Sequence, residues 1–394
     1  MLRNIRFHIR ILILYIVLLP IATALAGIVG DVSLVNYVSL AYVLLTLFAN
    51  GGKIRFKRSY KSIYLYFSYF ALSMLWCSNI SFSWYIATSL MNTAVIFFAL
   101  SDNFTAYELS CIKRAFLTGF MLFLVAVIYN IDTAIKFRLT ITVFSKMDPN
   151  DLACGLLIIV SILFEMISLK QHTRIAIIAL FLAGLAIILS GSRGAMSMFL
   201  GVLIWWVIVA NNQRNFATVL LLIAGAIFLM TIYDYLPSYL QGRMNIGAVV
   251  EDGGSGRIKI WENALRVFAN SNPIRILIGY GYSSFETAVN YIAEGHSGAY
   301  QSHNIFINAL IEGGIVGLVL IVNMLIRSYK IAKARNNIAG MLSIVGLSIA
   351  GCTLDMQAYR IFAMVFIVAV LFEGNISYDN KQRNSFDYHS SLQS

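Results

Sequence analysis

Residues 233–302 read YDYLPSYLQGRMNIGAVVEDGGSGRIKIWENALRVFANSNPIRILIGYGYSSFETAVNYIAEGHSGAYQS. This stretch decides the fold. It carries Arg243, Glu251, Asp252, Arg257, Lys259, Glu262, Arg266, Arg275, Glu286, Glu294 and His296, whereas the chain on either side is mostly apolar segments joined by short connectors. Each of these charges would cost several kcal/mol in hydrocarbon. The stretch is therefore read as a cap on one membrane face, and the segments around it as the membrane part.

Composition agrees. The 394 residues are 59% hydrophobic and 12% charged, with a mean hydropathy of +0.77. A soluble globular protein carries about 25% charged residues. The sequence predicts an all-α polytopic membrane protein with about 12 transmembrane helices, at 11–29, 32–48, 62–77, 84–100, 115–131, 151–169, 175–190, 195–210, 216–232, 303–326, 338–354 and 361–372. Each is near the ~20 residues that a bilayer needs. The expected organisation is helices one to nine over 1–232, a long external loop over 233–302, helices ten to twelve over 303–373 and a polar tail over 374–394. The basic N-terminus leads straight into a full apolar run, which reads as a span and not as a cleavable signal. Cys77, Cys111, Cys154 and Cys352 lie in or beside apolar runs without metal or disulfide spacing, so they read as small buried hydrophobes.

A net charge of +11 alone would suit nucleic acid, but its distribution does not. The connectors on the N-terminal side of the membrane hold 19 of the 29 Lys and Arg residues and 6 of the 18 acids; the other set holds 10 and 12. The positive-inside rule then puts both termini in the cytoplasm and the long loop outside. Lys53, Arg55, Lys57, Arg58 and Lys61 are on this reading a topology signal.

The outer connectors hold the candidate chemistry. Gly191-Ser192-Arg193-Gly194 is a tight turn with an arginine, whose planar fork suits a phosphate. Snorkelling or pairing with the dipole of the preceding helix accounts for Arg193 equally well. In Asp148-Pro149-Asn150-Asp151 a structural reading suffices: an N-cap, a proline at the first helical position and an acidic third residue. A sugar or acceptor contact is the alternative. Gly253-Gly254-Ser255-Gly256-Arg257 opens a helix that Ser255 can cap, with Trp261, Leu265 and Phe268 on one apolar face. Arg257 opposes the dipole in that first turn, unless an anion joins it there. Gly279-Tyr280-Gly281-Tyr282 reads as a flexible turn with interfacial tyrosines more simply than as a sugar platform. His296 reads as solvated. Ser302-His303-Asn304 begins the tenth span; His303 is titratable at the membrane boundary, and capping the helix is its structural alternative. Glu312 follows about 13 Å along the helix. An intramembrane carboxylate is a functional candidate, although a buried cation or polar backbone as partner is the simpler reading. Asp355 and Arg360 flank the last outer turn and complete an outward ring of charge.

The order Asp-Pro-Asn-Asp-Leu-Ala, Ser-Gly-Ser-Arg-Gly, Gly-Arg-Ile-Lys-Ile-Trp, Gly-Tyr-Gly-Tyr, then Ser-His-Asn with Glu-Gly-Gly-Ile-Val-Gly resembles the O-antigen ligase and polymerase superfamily, the WaaL-like ligases and Wzy-like polymerases of bacterial surface polysaccharides. The resemblance runs from about Asp148 to Glu312; the first 140 residues match only as generic spans.

It implies a GT-C-like fold and an inverting, metal-independent glycosyltransferase of the bacterial inner membrane that needs no cofactor. The implied donor is an undecaprenyl-pyrophosphate-linked oligosaccharide. The implied acceptor is a glycan or lipid A-core, with a chain-length regulator protein as a further partner. Such a reaction needs cations for the diphosphate and a base for the attacking hydroxyl. Arg193 and Arg257 fit the first need and His303 the second; Asp148, Asn150, Asp252, Asn304, Glu312 and Asp355 are supporting candidates, and no metal site is expected. Within the superfamily, Asp148–Ala153 and the compact outer loop favour a polymerase, with a ligase as the alternative. A lipid-glycan flippase is a second alternative, but the chain shows no internal repeat of the kind many transporters have.

Overall fold

The computed structural model describes residues 5–27, 33–77, 84–210, 237–244, 256–290, 301–357 and 359–374. The expected ninth span, Asp252, Ser255 and His296 lie outside the described residues. Among the described residues regular structure is helical, apart from an isolated bridge between Thr142 and Lys146. The helices are α1 (Phe7–Leu18), α2 (Leu34–Ala49), α3 (Lys61–Ser73), α4 (Trp84–Ser101), α5 (Ala106–Tyr129), α6 (Ile131–Lys136), α7 (Pro149–Cys154, running on as Leu157–Ser168), α8 (Thr173–Ser190), α9 (Arg193–Ala210), α10 (Ser238–Met244), α11 (Arg257–Ala269), α12 (Pro273–Ile278), α13 (Phe285–Asn290), α14 (Ile305–Ala334), α15 (Ile338–Gly351) and α16 (Arg360–Leu371). Four of them, α5, α7, α8 and α14, are long and apolar enough to cross a membrane, and shorter apolar helices include α1, α2, α9, α15 and α16.

Burial separates inner helices from outer ones. Every residue of α16 from Ile361 to Leu371 is buried, as expected of a helix that is apolar all round and surrounded by others. On α8, by contrast, Ile175, Ile178 and Phe181 are exposed at helical spacing, a stripe suited to lipid as solvent.

The connectors gather at two ends. At one, the Arg6 guanidinium contacts Asp102 at 2.7 Å and Glu108 at 2.8 Å, and Lys57 Nζ donates to the Asp102 carbonyl at 2.6 Å. These are connectors that the charge pattern assigns to one side. Lys113, expected in the connector before the fifth span, is instead inside α5. A capping box of Thr105 and Glu108 starts that helix at Ala106, so Lys113 enters the bundle. It is fully buried and pairs with the equally buried Glu165 of α7 at 2.7 Å, with its ammonium 5.3 Å above the Phe372 ring. A paired charge can enter where a lone one cannot.

Two glycine motifs of the sequence turn out to be one structural device. The helix α14 breaks at Gly314 (φ 63, ψ −163), which frees carbonyls in mid-helix. The turn after α12 fills the gap: Tyr280 N–H donates to Ile311 O at 2.9 Å and Gly281 N–H to Glu312 O at 2.8 Å. Only glycines permit this approach. A Cβ on Gly279 would lie 2.3 Å from Glu312 O, and one on Gly314 2.4 Å from Leu277 O. Gly279-Tyr280-Gly281-Tyr282 is thus a fixed plug and not a flexible turn. Its tyrosines are engaged as well: Tyr280 OH lies 2.7 Å from Ser271 Oγ, and the buried Tyr282 hydroxyl pairs with Ser89.

Candidate functional site

His303 sits in the left-handed region at φ 51. A non-glycine residue held there costs about 1–3 kcal/mol, so its neighbours must enforce it. Ser302 Oγ donates to Asn304 O at 2.7 Å, and Trp261 Nε1 of α11 donates to Ser302 O at 2.8 Å. The cap of α14 is Asn304, whose Oδ1 accepts from Phe306 N at 2.9 Å and Ile307 N at 3.1 Å. The helix therefore starts at Ile305, not at His303, and the capping alternative for His303 is removed. Its imidazole is left for other work.

Arg257 is the first residue of α11. The N-cap is Gly256 in the left-handed conformation, with no side-chain cap, so the expected capping by Ser255 is not what the described residues carry. The apolar face also differs. Ala264 and Val267 are buried with Ile311, flanked by Ile260, Phe268 and Ile307, whereas Leu265 is 49% exposed. Trp261 leaves that face because its indole N–H finds the Ser302 carbonyl. That bond brings the start of α11 to His303. Burial, and after it the Arg257 cation, lower the His303 pKa from 6.5, while the Asp148 carboxylate opposes them. A neutral imidazole results, ready to accept a proton near neutral pH.

Asp148 and Asn150 join the same end. Asp148 accepts from Asn150 N at 2.7 Å and caps α7, with Pro149 at the first helical position, as the structural reading expects. Asn150 Oδ1 accepts from Ser192 Oγ at 2.8 Å, which ties this turn to the one that carries Arg193. Arg138, which no signal in its polar connector marks, adds a cation: its Nε donates to Ser190 O at 2.7 Å. A Cβ on Gly194 would lie 2.4 Å from Thr353 Oγ1, and Asn304 Nδ2 donates to Cys352 O at 3.1 Å. The connectors bearing Asp148, Arg193, Arg257, His303 and Asp355 thus converge.

Glu312 and Asp355 lie deeper. Both are buried, so the expected outward ring of charge at the last turn is not formed. Asp355 instead accepts from Gln357 N at 3.4 Å, and burial pushes its pKa up to about 7. Arg360 faces inward too, donating to Asn36 Oδ1 at 2.7 Å. Glu312 has polar backbone and an amide as partners: Phe285 N at 3.4 Å and Asn308 Nδ2 at 3.1 Å. Asn308 also donates to Gln357 Oε1 at 2.6 Å, so the two carboxylates share one network. Among the described residues no group of three or more His, Cys, Asp and Glu is placed to hold a metal.

A cavity of about 340 Å³ is lined in part by Thr23, Thr88, Asp151, Tyr359, Arg360 and Gln301, of which Gln301 is two residues before His303 in the chain. The sequence shows Asp151 only as part of a cap and Tyr359 not at all. Their convergence is a product of tertiary packing, with the Asp151 carboxylate accepting from the Tyr359 and Thr23 hydroxyls.

Comparison with known proteins gives these positions a context. Residues 178–322 match a family model described as O-antigen ligase, a segment that contains Arg193, Arg257, His303, Asn304 and Glu312. Over 144 residues the chain is 26% identical to a protein of Pseudomonas aeruginosa named O-antigen ligase, a match that covers 36% of this chain and 31% of that protein.

Proposed function

From a chain that belongs to the O-antigen ligase and polymerase superfamily through residues 178–322, we propose a membrane glycosyltransferase that moves a glycan from a polyprenyl diphosphate to an acceptor hydroxyl. The observation that carries this reading is the convergence of Arg257 and the uncapped, backbone-constrained His303 with the Arg193 turn. In the proposed step His303 takes the proton of the acceptor hydroxyl as its oxygen bonds to the anomeric carbon, and the bond from that carbon to the diphosphate oxygen breaks. Arg193 and Arg257 stabilise the charge on the departing diphosphate. On this reading the site end faces away from the cytoplasm, as the basic connectors at the other end favour. Asn150 and Asn304 act by holding the Arg193 turn and the start of α14.

The acceptor separates two forms of the reaction. The names of the family model and of the relative favour a ligase with lipid A-core as acceptor. The Asp148–Ala153 segment favours a polymerase that extends a lipid-linked chain, the form in which a chain-length regulator would be a partner. Purified protein in detergent should join or transfer lipid-linked donors without any compartment; failure to do so, with transport in vesicles instead, would replace the enzyme by a flippase. In cells, deletion leaves full-length chains on the lipid carrier if the protein is a ligase. It leaves single repeat units on their acceptor if the protein is a polymerase.

A further inference from the structure

The cavity that Gln301 lines has a composition unlike the arginine turns. Asp151 supplies acceptors, Arg360 donors, and Thr23, Thr88, Gln301 and Tyr359 neutral hydrogen-bonding groups, with aliphatic walls from Leu19 and Ala22 just after α1 and from Ile361 of α16. One acid and one base leave no surplus charge for a diphosphate. A carboxylate, a guanidinium, hydroxyls and an amide around an apolar wall instead match a pyranose, which offers several hydroxyls and C–H faces. At about 340 Å³ the cavity is within the roughly 300–1,000 Å³ of small-molecule sites. Its polar groups are already held in place: Arg360 by Asn36, Asp151 by Tyr359 and Thr23. Gln301, two residues before His303, is half-buried and bonds to none of the described residues, so its amide is available to a ligand.

The origin of these residues matters as much as their chemistry. Apart from Gln301, all of the lining residues lie outside the segment 178–322 that matches the family model, whereas Arg193, Arg257 and His303 lie within it. The transfer machinery is thus carried by the part of the chain shared with the family. The cavity is built from residues 19–23 after α1 and from α4, α7 and α16, with Gln301. We propose that this cavity is the sugar-selecting subsite of the enzyme, holding one neutral sugar unit of the donor or acceptor glycan through Asp151, Gln301 and Arg360. This rests on the glycosyl-transfer reading above and sharpens it: residues outside the family segment set which glycan is accepted.

The test uses the full chain in detergent and, as probes, the methyl glycosides of glucose, galactose, N-acetylglucosamine and rhamnose in saturation-transfer NMR. At least one should bind the unsubstituted protein; Asp151→Asn should weaken it about tenfold, the size of one hydrogen bond involving a charged group, and Gln301→Ala about two- to tenfold, the size of a neutral one. Asn keeps the shape and an acceptor for Tyr359; Gln301→Ala disturbs no described bond and serves if Asp151→Asn fails to fold. In turnover assays the KM of one glycan substrate should rise with the same substitutions. A rise for the donor assigns the cavity to the donor sugar, and a rise for the acceptor to the acceptor sugar. Binding of no glycoside, binding indifferent to both substitutions, or unchanged KM for both substrates in a competent enzyme would overturn the proposal. A chain that binds glycosides through this cavity but transfers nothing would sink the transfer reading and leave the sugar site standing.

Discussion

The two ends of the bundle hold their charges in different ways. At one end, and just inside it, charges are closed into ion pairs, Arg6 with Asp102 and Glu108 and the buried Lys113 with Glu165, and His8 Nε2 lies 2.9 Å from Asp102. At the other, the polar residues are fixed through backbone: Asp148 and Asn304 cap helices, Ser302 holds the peptide of Asn304, and a tryptophan grips the carbonyl before His303. An ion pair uses up the charge it stabilises. Caps and bonds from neighbouring residues hold the backbone around His303 and leave its own side chain chemically available. The difference marks one end as fastening and the other as working surface.

If that contrast is sound, removing a side chain at the working end affects turnover before stability. The largest effect is expected for His303. A positioned base contributes about 10²–10⁴-fold, so His303→Ala should lower turnover by that factor with little change in expression or donor binding. His303→Asn should do the same, because the cap of α14 is Asn304. Near-native turnover in His303→Asn, measured on purified protein, would end the assignment. Arg193→Lys keeps the charge but loses the two-pronged fork, and a clear loss of activity at unchanged expression is expected.

At the fastening end the reverse holds. Lys113→Met leaves Glu165 buried without its cation, a defect of about 3–5 kcal/mol in stability. Replacing both residues by apolar ones should recover most of that loss. Thermal unfolding in detergent reads both. If the double variant is no better than the single, Lys113 does more than neutralise Glu165.

The plug at Gly314 lies between these cases and shows what the sequence could and could not tell. Apolar runs pointed to an all-helical membrane chain, because the ~20-residue length follows from bilayer thickness alone, and four of the described helices are long and apolar enough to cross. Arg193, Arg257 and His303 stood out because charge is rare in such a chain. What stayed hidden depends on distant partners. Lys113 looked like a connector residue because its neutraliser, Glu165, is 52 residues away. Gly279-Tyr280-Gly281-Tyr282 looked flexible because the helix break that it fills is also remote in sequence. Asp355 and Arg360 looked outward-facing because polarity alone does not reveal a buried network. Gly279→Ala and Gly314→Ala, which drive a Cβ into backbone, should each cost about 1–3 kcal/mol or more. At Gly256, also left-handed but with open space around a Cβ, alanine should cost only the conformational penalty of about 1 kcal/mol. Equal losses at all three would mean that the close approach is not what the glycines provide.

The smallest effect is the most discriminating. Turnover should rise with pH as His303 loses its proton, and burial together with Arg257 sets that limb below 6.5. Arg257→Gln removes a cation that disfavours the imidazolium, so the His303 pKa rises and the limb moves to higher pH, whatever the loss in rate. Asp148→Asn removes an anion that favours the imidazolium, so the limb moves to lower pH, and Asn still caps α7. Two substitutions thus shift one limb in opposite directions. Asp355, raised to about 7 by burial, is the competing titrating group. Were it the base, Asp355→Asn would abolish the limb, and neither Arg257 nor Asp148 is among the causes that set its pKa. Opposite shifts in the first two variants, with the limb retained in Asp355→Asn, assign the proton to His303; shifts in the same direction, or none, take it away.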